Sequence, residues 1–167
     1  CTSTIKELWP RYAGRLGSVA QRKAEELAAK AMDINAFLVD VLKVHPAEHA
    51  QGNAVTVTYH DSCHLKKSLG VTSQPRAVIA ANPAYALKEM DEADRCCGCG
   101  GSFNLFHYDY SRQIGQRKRD NVVASGAQVV AAGCPACMMQ LSDMLARNND
   151  PVQVKHTIEI YAESLPR

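Results

Sequence analysis

From Val55 to Ser164 short β-branched runs alternate with helical patterns four times, and this alternation restricts the fold more than any other feature. Val55-Thr56-Val57-Thr58-Tyr59 reads as a strand, because β-branched and aromatic side chains fit a pleated surface. Pro75 to Ala81 reads as a helix ending before Asn82-Pro83, and Ala86 to Met90 as a weaker strand. Tyr108 to Ser125 is a long helix closed by Gly126, and Gln128 to Ala132 a buried strand. Pro135 to Arg147 is a helix stopped by Asn148-Asn149-Asp150-Pro151. Val152 to Lys155 is the last strand, and Thr157 is expected to cap a helix through Ser164. Strands separated by helical crossovers pair in parallel and carry the helices on their faces.

The expected fold class is therefore α/β, a three-layer Rossmann-like parallel sheet with helices on both faces. Ahead of it, Ser3 to Gly14 reads as a short helix interrupted by Pro10, and residues 20–32 are helical by propensity. Asp33 is a good N-cap for a third helix, in which Ile34, Phe37, Leu38, Val41 and Leu42 follow the spacing of one buried face. Residues 45–53, with Pro46, Gly52 and Asn53, form a loop. These first helices are expected to cover the sheet or a neighbouring domain. The opening on Cys1, without a methionine, reads as a fragment of something longer.

The cysteines fall in step with the strands. Cys63 follows the first, Cys96, Cys97 and Cys99 the second, Cys134 and Cys137 the third, and His156 the fourth. In a parallel sheet all strand carboxyl ends share one edge, where open α/β sheets bind ligands. Residues tens of positions apart would thus converge. Arg95-Cys96-Cys97-Gly98-Cys99-Gly100-Gly101 is too glycine-rich to be ordinary packing; it leaves backbone and thiols free to approach something bound. Cys134-Pro135-Ala136-Cys137 fits a strand-to-helix turn with proline at the first helical position and both sulfurs on one face. Helix N-termini at that edge favour thiolate over thiol.

Seven cysteines in a chain rich in helix and strand do not resemble a secreted disulfide framework. Thiols without a carboxylate cluster suit a soft metal, either an iron–sulfur cluster or zinc. The vicinal pair favours a cluster, because neighbouring ligands fit poorly on one tetrahedral ion but reach different irons. A net charge of +2 gives no electrostatic case for nucleic acid or an anionic membrane. The longest apolar runs fall far short of the ~18 residues that span a bilayer. Gly98-x-Gly100-Gly101 does not match a dinucleotide fingerprint.

The spacing of Cys63, Cys96-Cys97-Gly98 and Cys134-Pro135-Ala136-Cys137 resembles the CCG cysteine-rich domain of heterodisulfide reductases and of the iron–sulfur subunits of glycolate, lactate and glycerol-3-phosphate dehydrogenases. Tyr59-His60-Asp61-Ser62-Cys63-His64-Leu65, Leu69-Gly70-Val71, Gln74-Pro75-Arg76, Gly100-Gly101-Ser102-Phe103 and Lys155-His156-Thr157-Ile158-Glu159-Ile160 are similar to the lactate-utilisation and glycolate-oxidase members. The resemblance implies two such domains in tandem. Residues 1–54 would be the remnant of the first plus a helical connection, with Cys1 its last cysteine, and residues 55–167 the second domain.

It further implies a noncubane [4Fe-4S] cluster on Cys63, Cys96, Cys97, Cys134 and Cys137, with Cys99, His64 and Gly98 as additional candidates. Electrons would arrive from a 2-hydroxy acid through a flavoprotein and ferredoxin-type subunits. The location would be cytoplasmic, or peripheral to the inner face of the membrane through those partners. A redox subunit, not a complete enzyme, is the expected role. Two other readings stay open: a zinc-bound or metal-free module that docks partner subunits, and a thiol–disulfide domain using Cys134 and Cys137 or the vicinal pair. His60 and His64 read as residues hydrogen-bonded near the site, and His156 is similarly placed. Arg112 to Arg119 reads as a solvated helix face, and Met138, Met139 and Met144 as core.

Overall fold

A computed structural model describes residues 2–48 and 52–166, so Cys1 lies outside the described residues. Its sheet has four strands, β1 (Val55–His60), β2 (Tyr85–Leu87), β3 (Val129–Ala132) and β4 (Gln153–His156), in the order β2-β1-β3-β4. All neighbours are parallel. His60 pairs with Ala132, and Ala132 with His156, so the carboxyl ends of three strands lie level. The chain leaves β1 towards β2 and leaves β3 towards β4. The reversal between β1 and β3 is where an open α/β sheet opens a crevice.

Alternation along each strand sorts the core into two faces. Val130 and Ala132 pack with Val122, Leu141 and Leu145 beneath α6 (Tyr108–Ala124) and α7 (Pro135–Arg147). Val129 and Ala131 pack with Val57, Tyr59, Ile79 and Ile160 beneath α4 (Ser73–Ala80) and α8 (Thr157–Ala162). The result is the expected three-layer α/β arrangement. Every residue of β3 is buried, as a central parallel strand requires.

The ends of elements depart from expectation in four places. β2 begins at Tyr85 and stops at Leu87; Lys88 and Glu89 are exposed and Met90 turns into the core. The cap of α8 is His156, whose Nδ1 accepts from Ile158 N at 3.2 Å while Glu159 accepts from His156 N at 2.6 Å. Thr157 is instead buried and donates to Asn35 Oδ1 at 2.7 Å, tying the N-terminal helices to the sheet. Pro10 does not interrupt its helix: a π-helical turn, Thr4–Leu8, runs directly into α1 (Trp9–Ala13), and the change of winding falls just before the proline.

Asp33 caps α3 (Ile34–Ala36) as expected, accepting from Asn35 N at 2.9 Å. The face that follows is not buried as a whole. Leu38 is enclosed, but Ile34, Phe37, Val41 and Leu42 are exposed. The chain continues from α3 as a π-helical turn, Phe37–Val41, whose wider winding changes which positions share a face.

Candidate metal centre

Each cysteine reaches the carboxyl edge for a local reason. Cys63 opens a helical turn, His64–Ser68, just past β1. Cys134 is the extended residue before α7, Pro135 begins that helix, and Cys137 is buried in its first turn. Cys96, Cys97 and Cys99 come from the long β2–β3 crossover, which must cross the edge before entering α5 (Ser102–Phe106) and α6. All six described cysteines line one cavity of about 290 Å³, together with His60, His64, Gly100, Gly101 and Ala136. Of the additional candidates, Cys99 and His64 line it, whereas Gly98 lies behind it. His156 is spent on the α8 cap.

The crossover is held from beneath. Ser111, fully buried on α6, donates its hydroxyl to Gly98 O at 2.8 Å. Gly98 has φ +94°, and a Cβ there would lie 2.5 Å from the Ser111 carbonyl oxygen. That oxygen belongs to a helix backbone and cannot move aside. The glycine after the cysteine pair is therefore required twice, for its backbone angle and for contact with α6. Gly98→Ala should cost about 1–3 kcal/mol and lower the melting temperature of metal-free protein; an unchanged melting temperature would refute this account of the motif.

Lys118, also buried, donates Nζ to the carbonyls of Glu92 and Ala93, the latter at 3.3 Å, and Asp61 N donates to Ala93 O at 3.0 Å. Burial pushes the Lys118 ammonium down to about 8. Glu92 is gripped by Arg117 at 2.6 and 2.9 Å, by Asn121 at 3.1 Å and by Arg95 at 2.9 Å. Those bonds, Arg117 first, hold its carboxyl down at about 2. A depressed carboxyl stabilises the fold fully above its unfolded value and loses that contribution as pH falls through the folded one. Acid unfolding of wild type should therefore show a component between roughly pH 4.5 and 2, absent from Glu92→Gln; coincident wild-type and variant profiles would rule the tie out.

The thiols polarise one another. Cys97 is pushed far below an ordinary thiol by donation from Cys137 and Cys96, against the cost of burial. Cys134 is brought to about 5, chiefly by donation from Cys137 and then by the Cys137 and Ala136 backbone N–H groups. Cys96 and Cys137, the donors, are raised. Gly98 N donates to Cys96 Sγ at 3.3 Å. This mutual donation favours thiolate at Cys97 and Cys134, and the cavity wall carries two imidazoles, His60 and His64, and no carboxylate. That donor set suits a soft metal.

Strand order alone places His60 near the site; the structure puts it in the cavity wall. Its Tyr59 neighbour faces α4 and α8, so period-2 alternation turns His60 towards α6 and α7. One ligand atom each of His60, Cys97 and Cys137 lies within 4.8 Å of the others.

Comparison with known proteins gives a consistent assignment. The chain is 30% identical over 168 residues to a subunit of the dihydromethanophenazine:CoB–CoM heterodisulfide reductase of Methanosarcina barkeri, covering 99% of this chain and 39% of that one. It is 30% identical over 143 residues to lactate utilization protein A of an Exiguobacterium species, covering 86% and 58%. With the same protein of Halalkalibacterium halodurans it shares 32% over 142 residues, covering 85% and 57%. The chain therefore spans less than two thirds of the length of these relatives. The cysteine-rich domain family, CCG, matches residues 57–142, which hold most of β1, all of β2 and β3, all six cavity cysteines and the start of α7. The chain belongs to the CCG cysteine-rich domain family.

Proposed function

We propose that this chain is an iron–sulfur electron-transfer domain in which Cys63, Cys96, Cys97, Cys134 and Cys137 hold a noncubane [4Fe-4S] cluster. One observation carries the reading: thiols from three separate crossovers line a single cavity at the reversal point of the sheet. The vicinal pair supports a multinuclear centre over one ion. Cys97 is buried while Cys96 is exposed, so the two sulfurs serve different depths of the cavity. When bound, the cluster supplies reversible one-electron chemistry. The protein's residues set its potential through burial, N–H groups aimed at sulfur, and the buried Lys118 ammonium beneath the crossover.

The names of the relatives favour a place in an oxidoreductase complex. We assign residues 55–167 to the second of two CCG domains and residues 1–54 to the tail of the first and its connection. The proposed partners are that first domain, a flavoprotein and ferredoxin-type subunits of a lactate or glycolate dehydrogenase, in the cytoplasm or at its membrane face. No described helix is long and apolar enough to cross a membrane. Anaerobic redox titration tests the reading. Visible absorbance should bleach on reduction and return on oxidation; a colourless zinc protein, silent in the titration, would support the docking alternative instead.

A further inference from the structure

We propose that His60 is itself a donor to the metal centre, binding through one ring nitrogen beside the Cys97 and Cys137 sulfurs. The donor set is then mixed, imidazole with thiolate. The proposal deepens the iron–sulfur reading for the identity of the native metal, but the donor assignment stands on the side chain alone.

His60 is 1% exposed, and neither ring nitrogen completes a hydrogen bond of normal geometry among the described residues, although the imidazole helps to hold the Cys97 thiol down. Buried polar groups without partners are rare, because each gives up its bonds to water for nothing. A buried histidine normally satisfies at least one nitrogen. Here the ring lines the cysteine cavity, and a ligand atom from each of His60, Cys97 and Cys137 lies within 4.8 Å of the other two. Tetrahedral metal–sulfur and metal–nitrogen bonds of roughly 2.3 and 2.0 Å bring ligand atoms within about 4 Å of one another, so a small inward movement closes the set. His64, the other cavity histidine, is exposed.

Position in the fold fixes this arrangement. His60 ends β1 level with Ala132, and Cys137 stands one turn into the helix that follows β3. Cys97 packs against Ala132 and Cys137 in the same cluster. Only Cys97 comes from a crossover loop, and it is already buried. Binding would displace the Cys97 and Cys137 thiol protons to solvent, while the neutral imidazole contributes a lone pair and keeps its other N–H. The unpartnered Thr58 hydroxyl lies on the same strand face. A neutral imidazole donor adds no negative charge to the metal, where a further thiolate would, and so favours a higher potential, as in mixed iron–sulfur centres.

The test uses Co²⁺ as the probe on metal-free protein labelled with ¹⁵N-histidine, read by pulsed EPR and by the thiolate-to-cobalt absorption band. A strong nitrogen hyperfine coupling is expected in wild type and in His64→Gln, and its loss in His60→Gln with at least tenfold weaker Co²⁺ binding. His60→Cys should restore affinity, lose the nitrogen coupling and strengthen the thiolate band. Should His60→Gln fail to fold, wild type and His64→Gln still decide the matter. Absence of strong coupling in wild type, its loss in His64→Gln, or unchanged affinity in a folded His60→Gln would overturn the proposal. Iron and sulfide content, measured separately, reports on the cluster reading, so the two can fail independently.

Discussion

Cys97→Ser is expected to leave the protein folded and essentially free of iron, while Cys99→Ser keeps most of it. Cys97 is the most enclosed of the cavity thiols, at 2% exposure, and two neighbouring thiols donate to it. Donation from those thiols makes it the sulfur most readily ionised as metal binds. Serine keeps the size of the side chain, but its hydroxyl does not ionise near neutral pH and is a poor ligand for a soft metal. Loss of a residue merely supporting a ligand costs about 10–100-fold in affinity; loss of this ligand should exceed about 100-fold. Cys99 lines the same cavity and its backbone N–H donates to the Cys97 sulfur, but among the described residues its own sulfur joins no ligand triad. Anaerobic reconstitution followed by iron analysis reads the difference. Equal iron in Cys97→Ser and wild type would reject the assignment.

Arg76→Met should destabilise the metal-free domain by about 3 kcal/mol, corresponding to a fall in melting temperature of about 6–12 °C. Asp61 is 4% exposed, and Arg76 grips both of its oxygens at 2.9 Å. The same guanidinium bonds Glu89 at 2.6 and 3.0 Å and Thr72 O at 2.8 Å, and lies over the Tyr59 ring at 4.9 Å. Methionine retains an apolar stem but leaves a buried carboxylate without its partner, the expensive half of such a pair. Lys66, 4.0 Å from Asp61, compensates in part, which sets the figure at the low end. Since Asp61 stands two residues before Cys63, metal loading should fall as well. Arg76→Lys should recover only part of the loss, because an ammonium cannot grip both oxygens in parallel. A melting temperature within a degree of wild type would show that the pair does not hold the end of β1.

Both predictions concern residues whose importance is visible in the sequence to different degrees. The cysteines are legible because parallel topology converts position after a strand into position on one edge. β3 is legible because a central strand is itself buried throughout and reads as a continuous apolar run, and α7 because proline opens it and Asn148-Asn149-Asp150-Pro151 ends it. β2 is shifted: the Asn82 side chain accepts from Ala84 N at 3.0 Å and starts the strand early, and the last rung is Lys88 N to Val57 O at 2.8 Å. α5 has five residues, too few to show a period, and follows two glycines that read as loop. His156 is not a usual capping residue, so residue preference puts the cap one position late.

The place of His60 is half legible. Strand alternation gives the face, but its neighbours Cys97 and Cys137 come from other crossovers, and no local pattern shows that neither ring nitrogen completes a hydrogen bond of normal geometry among the described residues. Lys118 is hidden in the same way. Arg112 to Arg119 reads as a solvated face, yet this one ammonium points inward to two crossover carbonyls.

The claim beneath all of this is that separated thiols act as one multinuclear centre. Iron and acid-labile sulfide counted per chain in anaerobically prepared protein test it most directly. The account predicts about four of each, with both lost together in Cys97→Ser. One zinc per chain with no sulfide, or no metal and six freely titrating thiols at the cavity, would contradict it.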